Sequence, residues 1–249
     1  MKIILHGTGA GHPSASRGAS ATSLLFSDGN SILIDAGEGC SRAMLRDEVP
    51  LNNVTHVVIS HTHADHWTGL PNLVMGWILN QRVEPATLIL PPGSLDFFAY
   101  VLRQSWLLES RRPFELAMKQ MGPIELPDQW RLRPFRTSHL DRHADEASQI
   151  SIPFPSFGFV VESGEGKILF SQDIASEVDL GAELSGTDIL ICESAHVDLS
   201  QVLISAERAS ISRVIFTHIP PYREDDFQHL EHQGPVEWLC AEDGTTISL

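Results

Sequence analysis

The segment Ile59–His66, ISHTHADH, constrains this chain more than any other, because it places three histidines and an aspartate within six residues. It follows an apolar run typical of a strand and precedes a run with helical spacing. Alternate side chains of an extended backbone point to the same side, so His61 and His63 can bind one ion. Asp65 and His66 enter the turn toward the helix, where a reversal of the backbone can direct them at a second ion. Imidazole and carboxylate groups are ordinary ligands of divalent metals, so the segment predicts a metal site in a strand-to-helix loop.

The rest of the chain mixes strand and helix patterns. Apolar, β-branched runs predict strands at 3–5, 22–26, 31–34, 56–59, 87–90, 130–137, 159–162, 168–170, 189–192, 214–216 and 245–249. A period of 3.6 residues predicts helices at 70–78, 95–106 and 198–206, the last with Asp198 as its N-cap. Residues 141–155 show no period and predict a surface loop or lid. The pattern favours an α/β or α+β fold built in layers, and we expect residues 1–249 to form a single domain.

Further metal ligands are expected at the ends of other strands. His139, Asp173 and His218 each lie just after a run that predicts a strand. Ligands of open α/β sheets collect at the carboxyl ends of strands. A single polar residue in such a place is more often a cap or a surface group. Together with the histidine-rich segment, however, the three residues indicate a common site.

At this point the sequence resembles the metallo-β-lactamase superfamily, and within it the ribonuclease Z group and its smaller phosphodiesterase relatives. The HTHADH motif of residues 61–66 is the most diagnostic of the matching pieces. The others occur in the same order as in the family and are residues 7–11 (GTGAG) with Pro13 and Arg17, 33–39 (LIDAGEG), 156–159 (SFGF), 168–173 (ILFSQD) and 216–218 (FTH).

The resemblance implies an αββα sandwich that binds two divalent metal ions. The ions are expected to be zinc, with manganese or iron as alternatives. His143 competes with His139 as a ligand, and we favour His139 because it follows its strand directly. The implied ligands are His61, His63 and His139 for one metal and Asp65, His66 and His218 for the other, with Asp173 bridging the two.

The implied activity is that of a binuclear metal-dependent hydrolase, in which a metal-bound hydroxide attacks a small phosphodiester or a cyclic nucleotide. Asp65 would take or relay the proton of that hydroxide. A proton donor is also needed for the leaving group, and Glu193 and His196 follow a predicted strand that can end at the same edge. The sequence leaves open which of the two donates, and a solvent-exposed loop histidine explains His196 nearly as well.

Three departures from ribonuclease Z argue against tRNA 3′-end processing. That group inserts a long basic arm where this chain has only the short turn 162–166, and its His-Ser-Thr motif is missing from residues 201–212. The net charge is −15, with 17 basic against 32 acidic residues. Binding to nucleic acid is driven by Lys and Arg, so we expect a small-molecule substrate and no nucleic-acid partner. The alternatives are a tRNA 3′-end endoribonuclease, a lactone, thioester or β-lactam hydrolase on the same site, and a non-catalytic metal-binding relative.

The expected location is the cytoplasm. The apolar runs are too short to cross a bilayer, and the first residues, MKIILHG, lack a signal-peptide core. Cys40, Cys192 and Cys240 are an odd number of cysteines far apart in the sequence, which does not suggest a disulfide framework. No membrane partner is expected, and the resemblance makes a homodimer possible.

Overall fold

The computed structural model describes residues 1–152 and 155–249, which divide into two compact units. The first unit consists of residues 1–11, 15–121 and 242–249, and the second of residues 12–14 and 122–241. Each unit contains one seven-stranded sheet. The expectation that residues 1–249 form one domain stays a prediction.

The strands and α-helices follow one another along the whole chain. The strands are β1 (Lys2–Gly7), β2 (Ala21–Leu25), β3 (Ser31–Ile34), β4 (Val54–Val58), β5 (Ala86–Leu90), β6 (Leu116–Gln120), β7 (Ile124–Glu125), β8 (Arg131–Thr137), β9 (Ser156–Ser163), β10 (Gly166–Phe170), β11 (Ile189–Glu193), β12 (Arg213–Thr217), β13 (Glu237–Cys240) and β14 (Thr245–Ser248). The α-helices are α1 (Cys40–Arg46), α2 (Leu70–Leu79), α3 (Leu95–Gln104), α4 (Ala144–Gln149) and α5 (Leu199–Arg208).

The first sheet has the strand order β14-β1-β2-β3-β4-β5-β6. Strands β3 to β6 run parallel, and β1 runs in the same direction as β3 because both are antiparallel to β2. The carboxyl ends of β1, β3 and β4 therefore lie at one edge of this sheet. Apolar side chains of the sheet pack with helices α1 to α3, whose largest fully buried residues are Trp77 and Phe98.

The second sheet has the order β13-β12-β11-β10-β9-β8-β7. Strands β10 to β13 run parallel, and β8 runs in the same direction because β8 and β10 are both antiparallel to β9. The carboxyl ends of β8, β10, β11 and β12 consequently lie at one edge. Strands β9 and β10 are joined by a turn of two residues, Gly164 and Glu165, because Ser163 pairs with Gly166.

All the predicted strands and the three predicted helices are present, with boundaries shifted by a few residues. Three strands, β6, β7 and β13, were not predicted from the sequence. Each is an edge strand of its sheet, and β7 has only two residues. Their side chains are half-buried or exposed, so they lack a continuous apolar run. The predicted loop at 141–155 contains α4, and its residues 153–154 lie outside the described residues. In the described part of the chain, no helix has both the length and the apolar character needed to cross a membrane.

Helix α5 illustrates how a local pattern sets helix ends. The Asp198 carboxylate accepts hydrogen bonds from the backbone N–H groups of Ser200 and Gln201, as expected for an N-cap. At the other end, the N–H of Ile211 donates to the carbonyl of Ala206 at 3.0 Å. The chain turns there through Ser210, whose φ is +61°, a conformation that favours glycine.

Replacing Ser210 by glycine is expected to raise the free energy of unfolding by about 1 kcal/mol, because glycine removes the steric cost of the left-handed backbone. Urea unfolding followed by circular dichroism measures the change. Ser205→Gly, inside the same helix, is the matched control and should lower stability by about 0.5–1 kcal/mol. A Ser210→Gly variant no more stable than the wild type would contradict this account of the helix end.

Candidate metal centre

The loop after β4 is held by a buried carboxylate. Asp35 accepts hydrogen bonds from the backbone N–H of Ser60 at 2.7 Å and from the Ser60 hydroxyl at 2.9 Å. His66 Nδ1 lies 2.6 Å from Asp35 Oδ2, and the side chains of His66 and Asp35 are both fully buried. When Nδ1 donates its proton to Asp35, Nε2 of His66 presents its lone pair to a ligand. Asp35 therefore orients His66 as carboxylates commonly orient metal-binding histidines.

The four donors of the HTHADH motif converge within the first unit. The ring centroid of His61 lies 4.8 Å from that of His63 and 4.1 Å from that of His66. His66 Nε2 is 3.3 Å from Asp65 Oδ2. A carbonyl–amide contact also fixes the loop, since the N–H of Ala36 donates to the carbonyl of His66 at 2.8 Å. Three imidazoles and a carboxylate are thus brought together by one short segment.

A second set of donors converges within the second unit. Asp173 Oδ2 lies 3.5 Å from His139 Nε2, and Asp173 Oδ1 lies 3.5 Å from His218 Nε2. All three residues are at most 5% exposed. They follow β8, β10 and β12, whose carboxyl ends share one edge of the sheet. Asp173 thus directs one carboxylate oxygen toward each of two imidazoles, which is the arrangement needed for a bridging ligand.

The competing candidate His143 lies elsewhere. Its side chain is 49% exposed, and its Nδ1 atom lies 3.9 Å from the Glu146 carboxylate. Its ring also accepts from Arg142 Nε at 3.1 Å. The structure therefore places His139, and not His143, beside Asp173.

The two candidate proton donors form a single pair. Glu193 accepts a hydrogen bond from the His196 N–H at 3.0 Å, and its other oxygen lies 3.1 Å from His196 Nδ1. Burial raises the pKa of the Glu193 carboxyl, but interactions with His196 and His218 outweigh it and hold the pKa below its usual value. The Glu193 side chain is 1% exposed and that of His196 27%. Glu193 thus lies beneath His196 and fixes its ring.

His196 also lies beside the donors of the second unit. Its ring centroid is 4.7 Å from that of His139 and 6.0 Å from that of His218. Donor atoms of Asp173, His196 and His218 lie within 4.8 Å of one another. His196 can therefore reach a group bound at these donors.

Three strand ends near the donors have left-handed backbone, which the sequence did not reveal. The φ angles are +58° at Asp35, +45° at Gln172 and +53° at His218. Such a conformation costs a residue other than glycine roughly 1 kcal/mol or more, so the surrounding structure has to stabilise it. It turns the chain sharply after β3, β10 and β12.

Asp179 is a supporting residue that sequence reasoning missed. Its carboxylate accepts from the backbone N–H and the hydroxyl of Ser138 and from the backbone N–H of Ala175. It therefore ties the loop that carries His139 to the loop that carries Asp173. Its sequence neighbourhood gives no signal of this role, because Ser138 lies 41 residues away in the sequence.

The chemistry of the two donor sets fits a divalent metal. Both consist of imidazole and carboxylate groups, most of them buried, and His66 has the carboxylate partner that metal-binding histidines usually have. Such nitrogen and oxygen ligands suit zinc, manganese or iron. Asp65, His66 and the other predicted ligands thus lie in two groups of a kind that can bind metal ions.

Solved structures place the chain in a known fold. The short form of human tRNase Z superposes with a TM-score of 0.78 at 23% identity, over 100% of this chain and 99% of that one. The metallo-β-lactamase fold protein YhfI from Bacillus subtilis superposes with a TM-score of 0.77 at 17% identity, over 99% and 98% of the two chains. With its two mixed sheets, the chain is a protein of the metallo-β-lactamase fold, and the predicted αββα class is confirmed.

Sequence comparison then gives the family. The profile of the anti-Pycsar protein Apyc1 family matches residues 1–201, and the chain belongs to that family. A ribonuclease Z from Metallosphaera sedula is 31% identical over 182 residues, which cover 71% of this chain and 54% of that protein. The chain spans about half the length of the curated ribonucleases Z that it matches first. The predicted likeness to the metallo-β-lactamase superfamily near ribonuclease Z is confirmed.

Proposed function

We propose that this protein is a metal-dependent hydrolase in which the donors of both sets bind the same pair of divalent cations. His61, His63 and His139 would hold one cation, and Asp65, His66 and His218 the other. The observation that carries the proposal is the position of Asp173, which directs one oxygen toward His139 and the other toward His218. A carboxylate whose two oxygens face different histidines suits two cations better than one.

In this proposal, Asp65, His196 and Glu193 have different roles in hydrolysis. A bound pair of divalent cations supplies a more acidic water and stabilises charge on the oxygens of the ester. Asp65 accepts the proton of the attacking water. His196 donates a proton to the leaving oxygen, because Glu193 engages its backbone N–H and Nδ1 and so leaves Nε2 for the substrate. Glu193 is nearly inaccessible and acts by orienting His196.

We infer that the substrate is a small phosphodiester or a cyclic nucleotide. Two features support this choice over tRNA: the two-residue turn between β9 and β10 leaves no inserted arm there, and the net charge is −15. The similarity to ribonuclease Z favours a second candidate, an endonuclease acting on RNA, and counts against our expectation that nucleic acid is no substrate. Zinc, a homodimer and the cytoplasmic location stay predictions.

The function is tested by metal analysis of the purified protein together with a substrate panel. We expect about two equivalents of metal per chain and hydrolysis of bis(p-nitrophenyl) phosphate and of a cyclic nucleotide, lost on chelation and restored by metal. No hydrolysis is expected of a lactone, a thioester or nitrocefin. Cleavage of a tRNA precursor without turnover of small diesters would establish the second candidate. A protein that binds no metal and hydrolyses no phosphodiester would refute both.

A further inference from the structure

The loop that joins β1 to β2 is closed at its base. A Cβ atom added to Gly7 would lie 1.9 Å from the carbonyl oxygen of Ala19, so the two limbs of the loop approach more closely than side chains allow. The N–H of Gly9 donates to the carbonyl of Gly18 at 2.8 Å. These contacts hold the two limbs side by side, but they involve only the loop itself.

A carboxylate from the far end of the sequence binds both limbs. Asp243 Oδ1 accepts from the backbone N–H of Thr8 at 2.9 Å and from its hydroxyl at 2.8 Å. Asp243 Oδ2 accepts from the backbone N–H of Gly18 at 2.7 Å. Hydrogen bonds to an ionised carboxylate are about twice as strong as those between neutral groups. The Asp243 side chain is only 13% exposed, which limits competition from water.

Neighbouring contacts hold Asp243 itself in place. The N–H of the next residue, Gly244, donates to the carbonyl of Leu5 in β1 at 2.7 Å. Arg46 Nη1 lies 3.6 Å from Asp243 Oδ2, and Arg17 donates to the Thr8 hydroxyl at 2.8 Å. The carboxylate is thus fixed against the strand from which the loop starts.

The same loop meets the proposed proton acceptor further along. A Cβ atom added to Gly11 would lie 3.4–3.5 Å from the carboxylate atoms of Asp65, which is ordinary van der Waals contact. The backbone at Gly11 therefore borders the space that the Asp65 carboxylate occupies. A shift of the loop would change that space.

We propose that Asp243 is a positioning residue for Asp65. It acts by clamping residues 7–11 and 15–18 of the loop, so that Gly11 is held beside the Asp65 carboxylate. This inference rests on the proposed function, in which Asp65 binds metal and accepts a proton. Asp243 lies outside residues 1–201, the part that the family profile matches. The contacts predict that the clamp affects the chemical step and metal retention more than substrate binding.

The test is Asp243→Asn. Whichever way the amide turns, its NH₂ group faces a backbone N–H that then has no acceptor, while the volume of the side chain is kept. We expect kcat for bis(p-nitrophenyl) phosphate to fall about tenfold with KM within about twofold, as when support of a metal ligand is lost. Metal should be lost more readily to a chelator, and amide hydrogen exchange should accelerate in residues 7–18.

The matched control is Asp28→Asn. Asp28 accepts two hydrogen bonds from Asn30 in the turn between β2 and β3, at the opposite edge of the same sheet. Its variant should keep wild-type kcat, metal retention and exchange in residues 7–18.

Thr8→Val provides a milder variant should Asp243→Asn fail to fold. It removes one of the three hydrogen bonds to Asp243, together with the hydrogen bond from Arg17 to the Thr8 hydroxyl, and keeps the backbone N–H. A kcat about threefold lower, with faster exchange in residues 7–18, would support the clamp. If the wild type hydrolyses no phosphodiester, metal retention and hydrogen exchange still test whether Asp243 holds the loop in place. If the folded Asp243→Asn variant shows wild-type metal retention and wild-type hydrogen exchange, the proposal is overturned. If Asp243→Asn does not fold, the same result in Thr8→Val overturns it.

Discussion

Replacing Asp65 by alanine is expected to lower the rate of phosphodiester hydrolysis by at least ~100-fold. The variant loses a carboxylate that lies 3.3 Å from His66 Nε2, and with it both a proposed metal ligand and the proposed proton acceptor. The side chain is 16% exposed, so its removal leaves no large cavity in the core. The readouts are kcat/KM for bis(p-nitrophenyl) phosphate and the metal content per chain, which should fall below two equivalents.

Two variants separate this effect from a general loss of charge or structure. Asp96→Ala removes an exposed carboxylate from the first turn of α3 and should keep wild-type turnover. Asp65→Asn keeps the shape of the side chain but not its charge, and should be nearly as inactive as the alanine variant. Full turnover by a folded Asp65→Ala protein would remove Asp65 from the mechanism.

The effect of His196→Ala should depend on the leaving group. A cyclic nucleotide releases a strongly basic alkoxide that needs a proton, and loss of the donor should cost at least ~100-fold in kcat. p-Nitrophenolate leaves as a weakly basic anion, so hydrolysis of bis(p-nitrophenyl) phosphate should fall only a few-fold. Steady-state kinetics on the two substrates measures the difference.

The exposed His143 provides the control for this experiment. His143→Ala should leave both rates unchanged, because the His143 side chain is half exposed and contacts Arg142 and Glu146. Glu193→Gln should show the same dependence on the leaving group as His196→Ala, to a smaller degree, if Glu193 acts by orienting the ring. An equal loss on both substrates in the His196→Ala variant would show that His196 serves the metals or the fold and donates no proton.

Much of the site could be predicted because its signals are local. The HTHADH motif lies in consecutive residues, and His139, Asp173 and His218 each follow an apolar run that is recognisable by itself. The rule that ligands gather at the carboxyl ends of strands then connects the segments without any knowledge of the sheet order. The same local signals predicted the central strands and the long amphipathic helices.

The supporting parts of the site could not be predicted, because they depend on contacts between distant segments. The carboxylates of Asp179 and Asp243 have ordinary sequence neighbours, and each accepts hydrogen bonds from a loop distant in the sequence, that of Ser138 or those of Thr8 and Gly18. The left-handed backbone at Asp35 and His218 goes against the preference of these residues and is imposed by the surrounding structure. Edge strands such as β6 were missed for a similar reason, since pairing with a neighbour defines them more than their own apolar pattern does.

The two-residue turn between β9 and β10 has a consequence for protein engineering. Gly164 and Glu165 are exposed at the tip of a regular hairpin, where added residues can loop out without disturbing the pairing on either side. A foreign module grafted there would lie between β9 and β10, at the end of β10 opposite to the one that leads to Asp173. The hairpin is thus a natural attachment point for giving this scaffold a new recognition element while its own chemistry is left in place.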